Sequence, residues 1–247
     1  MSGSNESSQQ FGFSTGALER GDFRTALAWM ISNQISAVEL SALRFDELQP
    51  LIESLDDLPL DSFDYVSFHA PSSFDKGKEE RVIELLQPVC KRGWNIIVHP
   101  DVIYTPKRWA CLGENLLIEN MDRRKAIGRT APELKDLFQQ LPNARLCLDF
   151  AHARQLDTTL ALLWDIVRTF KDRIAEVHIS ELDSRCRHQP MSKAAVIDYR
   201  QMAGRVRRHT PVIVESMLDA HRSSLRMAEM SLAQEALSAN AAEMIHR

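Results

Sequence analysis

Six polar side chains, His69, His99, Glu119, Asp149, His178 and Glu215, each close a short apolar run in this 247-residue chain. Imidazole nitrogens and carboxylate oxygens suit divalent ions of the Zn, Mn, Fe or Co kind. Two more histidines extend the set. His152 lies three residues past Asp149, and His188 sits in Arg185-Cys-Arg-His-Gln-Pro190. Carboxylates crowded together without a cation repel, and a bound ion relieves that repulsion. Glu119, Asp149, His178 and Glu215 are therefore expected to hold a metal. His69, His99 and His152 are open between metal ligand and substrate contact, and His188 between substrate and second-metal contact. Elsewhere the bland reading wins. His209 and His246 read as surface residues, His221 as a loop residue after the eighth run, and Glu39 as a structural residue that must be paired if buried. The basic run around Arg205, Arg207 and Arg208 reads as a solvated helix end. In the segment from Tyr104 to Glu114, Tyr104, Lys107, Arg108 and Trp109 could contact a sugar phosphate or DNA, the bland alternative being that Trp109 packs the fourth helix. Met227, Met230 and Met244 read as core or interface residues.

The elements that must position these groups follow from the runs themselves. They are Phe11–Gly16 (weak), Ala37–Ser41, Tyr65–His69, Ile96–His99, Leu116–Glu119, Leu146–Asp149, Ile174–His178 and Val212–Glu215. Near-continuous apolar strands suit a parallel sheet buried on both faces. Helical patterns separate them, at about Phe23–Asn33, Phe45–Leu55 and Lys78–Arg92. Leu160, Leu163, Trp164 and Val167 trace one later helical face, and Leu225, Ala228, Leu232 and Ala236 trace another. Strand–helix alternation at about 31 residues per unit predicts a single (β/α)8 barrel. Its C-terminal mouth, where such barrels place their chemistry, would hold the metal site. An open doubly wound sheet would want a glycine-rich phosphate loop, and Phe11-Gly-Phe-Ser-Thr-Gly16 is not one. The domain reading is a disordered arm over 1–9 and one barrel domain over 10–247.

Composition narrows the setting. The chain is 44% hydrophobic and 26% charged, with 30 basic and 34 acidic residues for a net charge of −4. That balance does not favour a polyanion. No apolar run approaches the roughly 20 residues of a membrane span, and the polar start does not read as a signal peptide. The four cysteines form no CxxC pair, and Cys147 reads as a buried free thiol. These features predict a cytoplasmic protein with no membrane partner, a small-molecule substrate and no nucleic-acid partner.

The motifs Phe68-His-Ala-Pro71, Val98-His-Pro100, Ile118-Glu-Asn120, Leu148-Asp-Phe-Ala-His152, Val177-His-Ile179 and Val214-Glu-Ser216 keep their order and strand positions. In this the chain resembles the xylose isomerase-like barrels over about Phe11 to Met217. That superfamily includes sugar isomerases and epimerases and the endonuclease IV type of DNA-repair enzyme. In the isomerase branch, the resemblance implies one metal on Glu119, Asp149, His178 and Glu215, with Glu119 and Glu215 also moving the proton. Arg187-His-Gln-Pro190 is similar to an Arg-His-Glu-Pro loop of hydroxypyruvate isomerase-like members, but the chain departs from that pattern at Met191. In the endonuclease branch, the resemblance implies a three-zinc cluster. Eight of its nine ligand positions match, at His69, His99, Glu119, Asp149, His152, His178, His188 and Glu215, and Cys186 replaces the ninth, an aspartate. The leading expectation is an isomerase or epimerase of a small sugar or hydroxy-carbonyl compound. It would work through a metal-stabilised enediolate, with His152 and Arg185 orienting substrate hydroxyls. The metal would be Mn, Mg, Co or Zn, with Fe as a further option. The alternatives are a zinc phosphodiesterase on abasic DNA, and a non-catalytic or iron-dependent barrel. A homodimer is also implied by the resemblance.

Overall fold

A strand buried on both faces needs helices on the outside and something to fill the inside. The sequence supplies the first in every unit. A computed structural model describes residues 9–218 and 223–237. The expected arm, His221, Met244 and His246 lie outside or almost outside these described residues. β1 (Phe11–Ser14) leads to α1 (Thr15–Glu19) and α2 (Phe23–Ser32). β2 (Ala37–Ser41) leads to α3 (Phe45–Ser54), and β3 (Tyr65–His69) to α4 (Glu79–Lys91). β4 (Asn95–Val98) leads to the short α5 (Pro106–Trp109), and β5 (Leu116–Glu119) to α6 (Ala131–Gln140). β6 (Arg145–Asp149) leads to α7 (Phe150–Leu156) and α8 (Ala161–Phe170). β7 (Ile174–Ile179) runs into a small hairpin, β8 (Glu181–Leu182) and β9 (His188–Gln189), and then α9 (Lys193–Arg200). β10 (Val212–Val214) precedes α10 (Ser223–Leu237).

Eight strands close a parallel barrel in the order β1, β2, β3, β4, β5, β6, β7, β10, as the eight runs predict. β1 closes it, with Gly12 opposite both Ala37 and Ile213. A Cβ on Gly12 would stand 1.9 Å from the Ala37 carbonyl oxygen, so only glycine permits this approach. The hairpin β8–β9 is antiparallel and carries His188 opposite Leu182. Its two-residue strands are too short to leave a periodic signal, and the sequence reading missed it.

The main apolar core lies between the strands and the helices. Phe68, Leu86, Trp109, Phe138, Phe150 and Ile166 are among its members. Trp109 packs as in the bland alternative, and its indole N–H donates to Glu79 of α4 at 2.9 Å. Inside the barrel the apolar content is small: Ile97, Leu117 and Cys147 form a separate cluster. By the two-residue strand period, Glu39, Ser67, Tyr65, Asn95 and Glu176 share that interior, where branched apolar residues usually stack.

Two helical faces differ from the sequence reading. In α8 the buried residues are Leu163, Ile166, Val167 and Phe170, while Trp164 is exposed beneath the Arg205 guanidinium, 4.3 Å from its ring. In α10 the buried face is Arg226, Glu229, Met230, Ala233, Ala236 and Leu237, and Leu225 is exposed. Ala236 of the expected face is buried and Leu232 packs against the core, but Leu225 and Ala228 are exposed, and two charged residues take part in the buried face instead. Arg226 donates to the Leu18 carbonyl at 3.1 Å and pairs with Glu19 at 2.6 Å, tying α10 to α1. The basic run begins where a short 3-10 helix, Ala203–Arg205, ends, past α9 rather than on it, and Arg207 pairs with Asp172 at 2.7 Å. Met230 is buried and Met227 exposed. All four cysteines are free thiols, and Cys147 is buried as expected. No helix among the described residues is long and apolar enough to cross a membrane.

Candidate metal centre

Each strand ends as its chain emerges from the sheet, so a polar residue there faces the axis at the mouth. His69, Glu119 and Asp149 are terminal residues of β3, β5 and β6, His178 is the penultimate residue of β7, and His99 and Glu215 lie one residue past β4 and β10. The eight sequence-predicted donors fall into three sets whose ligand atoms all lie within 4.8 Å of one another. They are His69–His99–Glu119, Glu119–Asp149–His178–Glu215 and Asp149–His152–His188. Glu119 and Asp149 each belong to two sets.

Glu119 is 1% exposed and divides its oxygens between neighbours. Oε2 lies 3.4 Å from His69 Nε2 and 3.1 Å from His99 Nε2. Oε1 lies 3.3 Å from His178 Nδ1 and 3.5 Å from His152 Nδ1. Glu215 Oε2 is 3.3 Å from His178 Nδ1 and 3.7 Å from His188 Nε2. These approaches do not all satisfy the donors. Glu119 Oε2, Asp149 Oδ2 and His99 Nδ1 are buried, and no hydrogen bond reaches them among the described residues. Buried polar atoms without partners are rare and call for an explanation. Donor atoms converging at this spacing, with orphaned oxygens among them, fit divalent cations.

The backbone fixes which nitrogens face the centre. His69 Nδ1 donates to the Ala70 carbonyl at 2.7 Å, and His152 Nδ1 to the Asn120 carbonyl at 2.8 Å. A carbonyl only accepts, so Nδ1 of both rings carries a proton, and Nε2 is the nitrogen left to serve as a ligand. His188 Nδ1 is held by Ser180 Oγ at 2.7 Å. Asn120, which the sequence reading quoted only within a motif, clamps Asp149. Its amide donates to the Asp149 carbonyl, and its carbonyl oxygen accepts the Asp149 N–H, each at 2.8 Å. Asp149 in turn caps α7, accepting the His152 N–H at 2.6 Å.

The charges reflect this crowding. Burial, with Glu119 nearby, pushes the Asp149 carboxyl well above the usual range. Burial would also raise Glu119, but His178, His69 and His99 hold it well below that range. Burial opposes protonation of His69, yet the carboxylates of Glu119 and Glu39 raise it to about 9. Three basic residues follow one another in the loop after β5. The loop after β5 carries Arg123, which donates to the Ser184 carbonyl, and Arg124, which grips the buried Asp122. Lys125 in the same loop pairs with Asp101 at 2.7 Å.

Arg185 is exposed, and its backbone N–H donates to Asp183; no contact between its side chain and the eight donors is recorded among the described residues. Cys186, in the place of the missing aspartate, turns its thiol to Gln155 Oε1 at 3.4 Å, outside the third donor set. The sequence reading also missed Glu176, which touches His178 from below. A glutamate two residues before His178 lies on the same strand face, and that period was the available signal.

The family model described as xylose isomerase-like TIM barrel matches residues 110–238, slightly more than half of the chain. No curated protein matches the chain in sequence. Among solved structures, endonuclease IV from Thermus thermophilus superposes with a TM-score of 0.62 at 18% identity, covering 92% of this chain and 99% of that one. The 3-keto-D-glucoside 4-epimerase YcjR from E. coli gives 0.57 at 14% identity, covering 92% and 98%. An AP endonuclease, family 2, from Brucella melitensis gives 0.56 at 13% identity, covering 89% and 98%. At these identities the likeness is one of fold.

Proposed function

The chain belongs to the xylose isomerase-like TIM barrel family, whose relatives include sugar epimerases and endonuclease IV-like enzymes, and from that premise we propose that it is a metal-dependent phosphoesterase with more than one divalent ion at the mouth. The observation that carries this reading is Glu119. Its two oxygens open onto two different donor sets, and both are buried. A carboxylate so placed would serve both donor sets, which would leave no oxygen free to take a proton from a carbon acid. The leading isomerase reading needs Glu119 as such a base.

Bound ions would supply Lewis acidity at a phosphoryl oxygen and lower the pKa of an attacking water. The chain's own residues do the rest. His69, His99 and Glu119 would hold one ion, and Glu119, Asp149, His178 and Glu215 a second. Asp149, His152 and His188 offer a third place. Glu215 is the most open carboxylate of the set at 12% exposure. Burial would raise it, but His178 and His188 hold it below the usual range. It therefore stays anionic, and Oε2 is placed to orient the attacking water. Arg123, Arg124 and Lys125 in the loop after β5 would be the cations offered to an anionic substrate, the last two by exchanging Asp122 and Asp101.

A specific observation keeps the isomerase or epimerase reading as the second. Glu119, Asp149, His178 and Glu215 alone complete a four-residue site for one ion. The test is hydrolysis of bis-p-nitrophenyl phosphate and of a duplex carrying one abasic site, each with a chelator control. Chelator-sensitive cleavage of either supports the reading, and the duplex tells a nucleic-acid substrate from a small one. No cleavage of either, together with chelator-sensitive epimerisation of a ketose by the same protein, contradicts it and restores Glu119 as a base.

A further inference from the structure

His178 differs from the other histidines of the mouth in what lies behind it. His69 and His152 rest on backbone carbonyls, whereas His178 turns Nε2 toward two carboxylates. Glu176 Oε1 and Glu39 Oε2 each lie 3.0 Å from that nitrogen, and all three residues are fully buried. Carboxylates accept, so Nε2 carries a proton, and Nδ1 is the nitrogen turned toward Glu119 and Glu215 in the donor set.

The two carboxylates are not equivalent. Glu39 Oε1 accepts a long bond from Ser41 at 3.3 Å, and Oε2 has no hydrogen-bond partner of good geometry. Glu176 is anchored on both oxygens. Ser67 donates to Oε1 at 3.3 Å, and the Tyr65 hydroxyl makes a short bond to Oε2. The chain continues away from the mouth. Asn95 donates to the Tyr65 hydroxyl at 2.7 Å, and Arg145 donates to the Asn95 side-chain oxygen at 2.5 Å. Arg145 is held in turn by the Glu114 carbonyl at 2.7 Å. Tyr65, Asn95 and Arg145 begin β3, β4 and β6, so this file of polar groups runs from the N-terminal end of the barrel to the metal-facing histidine. At that end Tyr65 and Asn95 also line a cavity of about 400 Å³ with Trp94 and Phe63.

Apolar side chains would fill this interior at lower cost, because each buried polar group must find partners. A file in which each member fixes the next does something packing alone does not, for it sets the angle and the tautomer of the last ring. Carboxylate partners of ligating histidines act in this way.

We propose that Glu176, anchored through Tyr65, Asn95 and Arg145, is a positioning residue that holds His178 with Nδ1 toward the metal centre. The inference rests on the metal reading above and adds a residue that none of the donor roles assigns.

The test uses Co(II) as the probe on the full chain. Its dissociation constant comes from chelator competition and its ligand field from visible absorption, for wild type, Glu176→Gln and Tyr65→Phe. Thermal melts of the metal-free proteins report folding. The expected result is a roughly 10- to 100-fold weaker Co(II) constant and a shifted absorption band in Glu176→Gln. Tyr65→Phe should move both in the same direction by less. It leaves His178 and both carboxylates in place, and so keeps the test decisive if Glu176→Gln does not fold. Wild-type constants and spectra in every folded variant would overturn the inference while leaving the metal reading standing. A wild-type protein that binds no Co(II) would overturn that reading and the inference together.

Discussion

Glu119 meets His69 and His99 with one oxygen and His178 and His152 with the other, so its protonation is tied to theirs. The proton on His69 is the clearest case. Burial opposes it, but the Glu119 and Glu39 carboxylates raise its pKa to about 9, above the unfolded value of about 6.5. The sign follows from that order. In the metal-free protein the stabilisation from the charged ring is fully present below about pH 6.5 and is lost as pH rises through about 9. Metal-free wild type should therefore lose thermal stability across this window relative to His69→Gln. Zn(II) should raise the melting temperature more at pH 9 than at pH 6.5, because fewer protons compete for the ligands. Parallel melting curves for wild type and His69→Gln across the window would contradict the assignment.

At the scale of elements, the closing contact between β1 and β2 depends on Gly12. Gly12→Ala would put a methyl against the Ala37 carbonyl, 1.9 Å away unless the strands part. Overpacking typically costs about 1–3 kcal/mol, and a clash with backbone belongs at or above the upper end. Urea denaturation checks this, and a midpoint equal to wild type would show that β1 has room to shift. The strands were legible because runs buried on both faces need no partner information, and β2, β3 and β5 have the bounds the runs predict. Six of the eight donors were legible for a related reason, since a polar residue at the end of such a run has only the mouth to occupy, whereas His152 and His188 lie beyond the strand ends, in α7 and β9. Other features depend on tertiary partners that no local pattern records. The α10 face is turned by Arg226 and Glu229, which are buried because Glu19, Ser216 and the Met191 N–H receive them. Trp164 faces outward, where the Arg205 guanidinium covers part of its ring. Glu176 was visible in the strand period, but its partners Tyr65 and Asn95 lie on other strands.

At the scale of the whole molecule, a net charge of −4 coexists with three successive basic residues in the loop after β5, Arg123, Arg124 and Lys125, the last two paired with Asp122 and Asp101. The barrel is also tied across its seam. Arg226 of α10 reaches Glu19 and the Leu18 carbonyl, beside the strand that closes the ring. Arg226→Met would keep the volume but leave Glu19 without its cation. Glu19 is partly exposed and can be hydrated, so the loss should fall below the roughly 3–5 kcal/mol of a fully buried pair, and a thermal or urea melt would register it. The proposed chemistry turns on the number of ions the mouth holds. Protein purified without chelator or affinity nickel should be analysed for metal per chain, with Glu119→Gln alongside. Two or three tightly bound divalent ions are expected in wild type and fewer than two in the variant, because Glu119 bridges two sets. One ion per chain in wild type, unchanged by excess metal, would contradict the multinuclear centre and return the chemistry to a single-ion isomerase.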